Sequence, residues 1–355
     1  MKYGILNFSK PSLIKFLSEY NIPKFRADQL FIWLYRFGAQ SFFAMSNIGK
    51  DLQKTLDDLF YIYRPKIIQA QKSQDGTIKL LLDLSNCEEL PKESRIETVF
   101  IPDIKRNTIC LSSQIGCSVG CKFCNTGSHG FKRNLSTEEI IGQFMIVKDY
   151  VGLWNRLPSN DEDRLSNIVF MGMGEPLYNI QNVLEAIEIL MEDKEQGVSR
   201  RKITISTAGV VPILDTIVKS LNTKLAISLH APNDEIRNEI MPINRLYNID
   251  SLIKICKKYC QHHSSLRITF EYLMLKNVND SKKCALELAT LLHGINAKVN
   301  VIRFNSWPGC EFSESNKKTI LNFMDILARN GIDTTIRSRR GRDIMAACGQ
   351  LQVNL

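Results

Sequence analysis

The stretch Cys117-Ser-Val-Gly-Cys-Lys-Phe-Cys124 places three cysteines close together, spaced four and then three residues apart. Gly116 and Gly120 permit the tight backbone turns that a metal-binding loop needs. A cube of four irons takes four ligands, so three cysteines leave one iron free to chelate a small molecule through amino and carboxylate groups. The loop therefore predicts a [4Fe-4S] cluster with an open iron, and its predicted ligands are Cys117, Cys121 and Cys124.

Zinc is the alternative metal for this loop. Structural zinc normally takes four protein ligands, and catalytic zinc takes histidine or carboxylate partners. With Cys110 as a fourth ligand the loop could be a zinc staple in a non-catalytic RNA-binding protein. That hypothesis gives no role to the Gly174-Glu-Pro, Ser206-Thr and Ser228-Leu-His segments farther along the chain.

From Thr108 onward, apolar runs typical of strands alternate with helical segments. The predicted strands are Thr108–Ser113, Asn167–Met171, Lys202–Ser206, Lys224–Ser228, Arg267–Met274 and Lys298–Phe304. Such alternation favours the α/β class, with a parallel sheet covered by helices. We predict a partial (βα)6 barrel, with catalytic groups at the carboxyl ends of its strands.

The amino-terminal part has a different character. Amphipathic segments at Pro11–Tyr20 and Ala27–Arg36 predict helices, and Thr77–Asp83 and Ile96–Pro102 predict strands of a small sheet that closes the module. We therefore expect a small, mostly helical accessory domain over residues 1–97. The core barrel and a carboxyl-terminal cysteine segment are expected over residues 98–355.

The composition indicates an ordinary globular protein with a basic surface. The net charge of +9 suits a polyanionic partner without requiring one. The ten cysteines are too few for a disulfide scaffold and suggest metal or redox chemistry. We find no export signal and no apolar run long enough to span a membrane, so we expect a cytoplasmic protein with no membrane partner.

The cysteine loop after the first barrel strand resembles that of the radical S-adenosylmethionine (SAM) superfamily. The fuller set of motifs resembles the RlmN-type adenine C2 methyltransferases over nearly the whole chain. The matching stretches are Phe25–Leu30, Cys110–Cys117, Gly127–Leu135, Met171–Leu177, Ile205–Pro212, Ile227–Glu235 and Ala347–Leu351.

This resemblance implies a dual-specificity enzyme that uses two SAM molecules per turnover, with a [4Fe-4S] cluster and SAM as cofactors. The implied substrates are 23S rRNA, in the peptidyl transferase region, and tRNA, at the adenosine 3′ of the anticodon. A cellular electron donor and a dithiol reductant are implied as further partners.

The resemblance also assigns the reacting residues. Cys348 would carry a methyl group, Cys110 would be the resolving thiol that forms a disulfide with it, and Glu97 matches the family's proposed proton acceptor. Taken singly, a buried cysteine or a strand glutamate is more often structural.

The SAM contacts implied by motif position lie at successive strand ends. Gly174 and Glu175 would meet the methionine amino group, and the others would bind ribose, carboxylate and adenine. These others are Ser206, Ser228, Leu229, His230 and Asn305.

Two enzymatic alternatives share these motifs. One is a related adenine C8 rRNA methyltransferase that confers antibiotic resistance, and the other is a radical enzyme that modifies a protein. The basic cluster Arg337–Arg342, just before Cys348, favours RNA over protein as the substrate.

Overall fold

A computed structural model describes residues 2–85, 94–103, 106–154, 165–192 and 198–352. Within these ranges no helix combines the length and apolar character that a membrane crossing requires. The strands are β1 (Tyr3–Gly4), β2 (Phe60–Tyr61), β3 (Lys66–Lys72), β4 (Ile78–Asp83), β5 (Arg95–Ile101), β6 (Asn107–Cys110), β7 (Gln114–Gly116), β8 (Phe131–Asn134), β9 (Leu165–Phe170), β10 (Ile203–Thr207), β11 (Lys224–Ser228), β12 (Ile268–Met274), β13 (Ala297–Arg303) and β14 (Asp333–Ile336). The α-helices are α1 (Lys10–Ser18), α2 (Phe25–Phe31), α3 (Lys50–Leu59), α4 (Asn125–Ser128), α5 (Thr137–Val151), α6 (Ile180–Met191), α7 (Val211–Ile217), α8 (Asp234–Ile240), α9 (Ile249–His262), α10 (Lys282–Leu292) and α11 (Lys317–Arg329).

One ten-stranded sheet organises the described residues, in the order β14-β13-β12-β11-β10-β9-β6-β5-β4-β3. Neighbouring strands in the stretch β14-β13-β12-β11-β10-β9-β6 of this sheet pair in parallel. Helices α5 to α11 lie between them in the sequence. The predicted α/β class and the partial (βα)6 barrel are confirmed, and β14 adds a further parallel strand that the sequence analysis did not predict.

The strands predicted at 77–83 and 96–102 are present as β4 and β5. They do not close a separate small sheet, as we had expected, because β5 pairs antiparallel with β6 and so extends the barrel sheet. The domain boundary predicted between residues 97 and 98 falls inside β5, and this division stays a proposal.

The amino-terminal helices dock on α5. Ser136 and Glu139 form a capping box at its first turn, which satisfies backbone N–H groups that a helix start leaves unpaired. The Tyr61 hydroxyl donates to Glu138 at 2.9 Å, and Arg64 pairs with Asp149 at 2.9 Å. These contacts from β2 and the segment after it hold the amino-terminal module against α5.

The cysteine loop and α4 connect the two strands of the β7–β8 hairpin. Gly116, with φ of 72°, ends β7 just before Cys117, and a Cβ atom there would lie 1.8 Å from the Gly130 carbonyl oxygen. Gly120 has a similar φ of 67°, yet a Cβ atom there would meet open space. The hairpin therefore needs glycine at residue 116 for its left-handed backbone and for lack of space. At residue 120 it needs glycine only for the left-handed backbone.

We expect Gly116→Ala to destabilise the cluster-free protein much more than the matched Gly120→Ala. A left-handed backbone costs an L-residue about 1–2 kcal/mol, which both variants incur, and crowding adds roughly 1–3 kcal/mol to the first alone. Thermal unfolding of the two variants measures the difference. Equal melting temperatures would show that the hairpin can relax around a side chain at residue 116.

Candidate active site

A cavity opens at the carboxyl ends of β9 to β13, where the predicted catalytic rim lies. The cysteine loop covers one side of it and the carboxyl-terminal segment another. The polar and sulfur-bearing lining residues are Cys117, Cys121, Cys124, Thr126, Met171, Glu175, Ser206, Thr207, Ser228, His230, Met241, Glu271, Arg337 and Cys348.

The three loop cysteines all line this cavity as free thiols. Loss of solvation raises the pKa of Cys117 to about 12 and also raises that of Cys124, whereas backbone N–H groups of Val119, Thr126 and Gly127 oppose this by donating to the two sulfurs. Buried thiolates of this kind become favourable when iron supplies positive charge. The donor set therefore fits an iron–sulfur cluster.

Their spacing does not fit a single metal ion. In the part of the chain that the structure describes, no three His, Cys, Asp or Glu side chains converge tightly enough to hold one. A cubane spreads its thiolate ligands over separate irons, so they need not converge on a point. The three cysteines are therefore compatible with a cluster.

Gly174 and Glu175 form part of the cavity wall, as predicted for amino-group contacts. The Glu175 carboxylate is 3% exposed and accepts from the backbone N–H groups of Leu177 at 3.0 Å and Ala208 at 2.8 Å. A side chain at residue 174 would meet Gln114 Cβ at 2.5 Å, so only glycine allows the backbone to pack this closely against Gln114. A fixed carboxylate of this type suits a ligand ammonium group.

His230 also lines the cavity, in a left-handed conformation with φ of 56°. Its Nδ1 accepts from the Leu273 backbone N–H at 3.1 Å, so Nε2 carries the proton and can donate. Burial and the charge of Arg237 lower its pKa to about 3. The imidazole is therefore neutral, and it packs edge-on against Phe123 at 4.9 Å between ring centroids.

The remaining predicted SAM contacts divide into two groups. Ser206 and Ser228 line the cavity, whereas Leu229 is fully buried and does not. Asn305 lines an adjoining pocket that shares Cys348 and Arg337 with the main cavity. Its Oδ1 is buried without a hydrogen-bond partner, which is the state expected of a group that awaits a ligand.

Cys348 is partly buried and lines both the main cavity and the adjoining pocket. Burial, and then the charge of Cys348, raise the pKa of buried Cys110 to about 12, so the two predicted reacting thiols are neighbours. The charge of Cys348 raises the pKa of the partly buried Arg337, and the charge of Cys110 adds to this rise. One guanidinium therefore lies near both cysteines, and its charge opposes the rise in the pKa of Cys110.

Backbone contacts hold the segment around Cys348 against the cysteine loop. Asn125 N–H, at the start of α4, donates to the Gly349 carbonyl at 2.8 Å, and the Thr126 hydroxyl donates to the Leu351 carbonyl at 2.7 Å. The methyl-carrier candidate and the cluster ligands thus belong to one hydrogen-bonded unit.

Glu97 lies on β5, is 5% exposed and does not line the cavity. Its carboxylate pairs with Lys79 at 2.8 Å and accepts from the Gln352 backbone N–H at 2.8 Å. Burial raises its pKa, while Lys79 opposes the shift. The predicted proton acceptor therefore contacts the carboxyl-terminal segment, and its catalytic role stays a prediction.

Sequence reasoning missed Arg237 and Glu271. Arg237 is fully buried and donates to carbonyls of Ala208, Ser228 and Leu229 at the strand ends. Glu271 lines the cavity and accepts from Asn300 at 2.9 Å. A charged residue within an otherwise apolar strand was the available signal for Glu271, and the helical position of Arg237 gave none.

Comparison with known proteins gives two family matches. The pattern that defines the Radical SAM superfamily matches residues 111–289, and that of the ribosomal RNA large subunit methyltransferase N-terminal domain matches residues 3–62.

Similar proteins cover nearly the whole chain. The dual-specificity RNA methyltransferase RlmN of Acidiphilium cryptum is 44% identical over 98% of this chain and 88% of its own length. The RlmN of Methylocella silvestris is 46% identical over 98% and 90%. The crystal structure of a radical SAM methyltransferase from Sphaerobacter thermophilus superposes with a TM-score of 0.89 at 37% identity, covering 99% of each chain.

The neutral imidazole makes a testable difference to stability at low pH. Since the pKa of His230 falls from an ordinary 6.5 to about 3 on folding, the unfolded chain binds a proton that the folded chain refuses. The contribution of His230 to the free energy of unfolding is fully present above pH 6.5. It decreases as the pH falls, by about 2 kcal/mol at pH 5. We expect His230→Gln, whose Oε1 can accept from Leu273, to lack this loss.

Urea unfolding of both proteins at pH 7.5 and pH 5.0 measures the effect, with the exposed His293→Gln as a control. Parallel changes in wild type and His230→Gln would show that the imidazole can be protonated in the folded state.

Proposed function

Because the chain belongs to the RlmN family of dual-specificity RNA methyltransferases, within the radical SAM superfamily, we propose that it methylates C2 of adenosine in both 23S rRNA and tRNA. The targets are an adenosine of the peptidyl transferase region and the adenosine 3′ of the anticodon. The observation that carries the proposal is the convergence of Cys348, Arg337 and the three-cysteine loop on one cavity.

The residues present fit both cofactors. Cys117, Cys121 and Cys124, which line the cavity, would hold the [4Fe-4S] cluster, and Glu175 would bind the amino group of SAM. Ser206, Ser228, neutral His230 and Asn305 offer hydrogen bonds to its other polar groups. When bound, the reduced cluster and SAM supply a 5′-deoxyadenosyl radical, which can remove hydrogen from an unreactive methyl group.

Cys348 carries the methyl group to the RNA. An adenine C2 carbon is not nucleophilic, so direct transfer from a sulfonium fails, whereas a thiolate takes a methyl group readily. Arg337 lines the same cavity and the same adjoining pocket as Cys348, so it places a positive charge beside the carrier sulfur. Loss of one hydrogen atom would leave a methylene radical on Cys348, and its addition to C2 would link the protein covalently to the RNA. The adduct would then lose one electron, which the oxidised cluster can take back, and the C2 proton.

Cys110 releases the product. Its thiolate attacks the sulfur of Cys348, which forms the disulfide and breaks the bond to the methylene carbon. That carbon takes up a proton to become the C2 methyl group, and the C2 proton lost from the adduct goes to a base. Glu97 is the proposed acceptor of this proton. The adenosine would come within reach of Glu97 when it lies beside the carboxyl-terminal segment. A cellular dithiol then reduces the Cys110–Cys348 disulfide, and a cellular electron donor reduces the cluster for the next turnover.

RNA recognition rests on basic residues beside the reacting thiol. Arg303, Arg337, Arg339 and Arg340 line the pocket next to Cys348, where backbone phosphates of a bound RNA would meet them. This concentration of positive charge favours an RNA substrate over a protein substrate.

The reaction is tested with protein purified without oxygen and reconstituted with iron and sulfide. With dithionite, SAM and either 23S rRNA or tRNA, we expect 5′-deoxyadenosine and 2-methyladenosine, measured by mass spectrometry. 8-Methyladenosine would instead identify a C8 methyltransferase. A colourless, zinc-containing and inactive protein would overturn the proposal.

The two thiols should fail at different steps. We expect Cys348→Ala to bind cluster and SAM normally and to leave RNA unmethylated, because the methyl group has no carrier. Cys110→Ala should accumulate RNA covalently attached to the protein, visible as a band of low mobility on denaturing gels. Cys260→Ala, on α9, is the matched control and should behave as wild type. Free turnover of Cys110→Ala without an adduct would contradict its resolving role.

A further inference from the structure

A buried ion pair lies beside the segment that carries Cys348, on strands outside both stretches that match the family patterns. Lys79 on β4 and Glu97 on β5 pair at 2.8 Å, with side-chain exposures of 9% and 6%. Burying two charges is costly and is often no more stabilising than an apolar pair. Stability alone therefore does not explain the pair, and a role in positioning neighbouring groups does.

The pair contacts the segment on both sides of Cys348. Lys79 Nζ donates to the Met345 carbonyl at 3.3 Å, and the Glu97 carboxylate accepts from Gln352 N–H at 2.8 Å. These two attachment points lie three residues before and four residues after the thiol. The chain between them has both ends fixed to adjacent strands.

The turn between β3 and β4 adds a second attachment, farther upstream. Ser73 Oγ donates to Asp343 at 2.5 Å, and the Gln74 backbone N–H donates to the same carboxylate at 3.1 Å. Asp75 accepts from the Gly341 backbone N–H at 2.9 Å. Residues 341–345 are thus fixed to the hairpin before the chain reaches Cys348.

The segment needs such support because its backbone is strained. Met345 has φ of 51°, a left-handed conformation that a residue with a side chain adopts only when its surroundings impose it. Lys79 binds the carbonyl of this same residue.

We propose that Lys79 is a positioning residue which, together with Glu97 and the β3–β4 turn, holds the Cys348 segment in the geometry that couples radical formation to methyl transfer. The proposal rests on the role of Cys348 as methyl carrier given above. It gives the β3–β5 extension of the barrel sheet a function in catalysis. The use of Glu97 here is additional to its proposed role as proton acceptor, so Glu97 is left unchanged in the test.

Two variants and a rescue test the proposal. Lys79→Met keeps the length of the side chain and removes the ammonium. Asp343→Ala removes both hydrogen bonds at the exposed turn, where a folding defect is not expected. Asp343→Asn can still accept from Gln74 and can donate its amide to a rotated Ser73 hydroxyl, so it should restore the attachment. Asp250→Ala, which removes an exposed ion pair on α9, is the control.

The first measurement is hydrogen–deuterium exchange of the cofactor-free protein. We expect residues 341–352 to exchange at least about fivefold faster in Lys79→Met and Asp343→Ala, the factor that one net hydrogen bond represents. The second is the ratio of 2-methyladenosine to 5′-deoxyadenosine in the reconstituted enzyme, together with the mass of the Cys348 peptide. We expect a similar fall in that ratio, with 5′-deoxyadenosine still formed.

Wild-type exchange and wild-type ratios in both variants would overturn the proposal. So would a lower ratio in Asp343→Ala that Asp343→Asn fails to restore, because the effect would then not depend on the hydrogen bonds. If Lys79→Met does not fold, the Asp343 variants still decide whether the β3–β4 hairpin holds the segment. A wild-type protein that never carries a methyl group on Cys348 would overturn the proposed function, while the exchange measurement would still decide whether the hairpin holds the segment.

Discussion

The hydrogen bonds between α4 and the carboxyl-terminal segment determine where Cys348 lies relative to the cluster ligands. Helix α4 begins directly after Cys124, and its first two residues bind the Gly349 and Leu351 carbonyls. A shift of the segment would therefore move the proposed methyl carrier and disturb a proposed cluster ligand together. A radical reaction demands this coupling, since a reactive species that forms far from its target is quenched elsewhere.

Buried positive charge organises the same cavity. Arg237 donates to three carbonyls at the ends of β10 and β11 and in the loops that follow them, which fixes two walls of the cavity. Its charge also lowers the pKa of His230 and opposes the rise in that of Cys121. One guanidinium thus keeps an imidazole neutral as a donor and favours a thiolate ligand. Arg337 likewise opposes the rise in the pKa of Cys110.

The sequence was informative where local pattern and fold agree. The six interior parallel strands are apolar runs, so their positions were predicted to within a few residues, and the cysteine spacing indicated the cluster loop. The two edge strands, β3 and β14, were missed because Lys66–Lys72 and Asp333–Ile336 are largely polar and exposed, as edge strands of a sheet often are. The strands β4 and β5 were found, but periodicity could not tell which sheet they join.

What the sequence could not indicate is contact between segments far apart in the chain. Resemblance to a family identified Cys348 and Cys110 as a pair, yet nothing local in the β3–β4 hairpin predicts that its turn binds Asp343. Lys79 reads as an ordinary solvated lysine in an alternating strand, and only the fold shows it buried against Glu97. A barrel supplies a rim on which loops can place reactive groups. In this protein the strands added at its edge contact the carboxyl-terminal segment that carries Cys348.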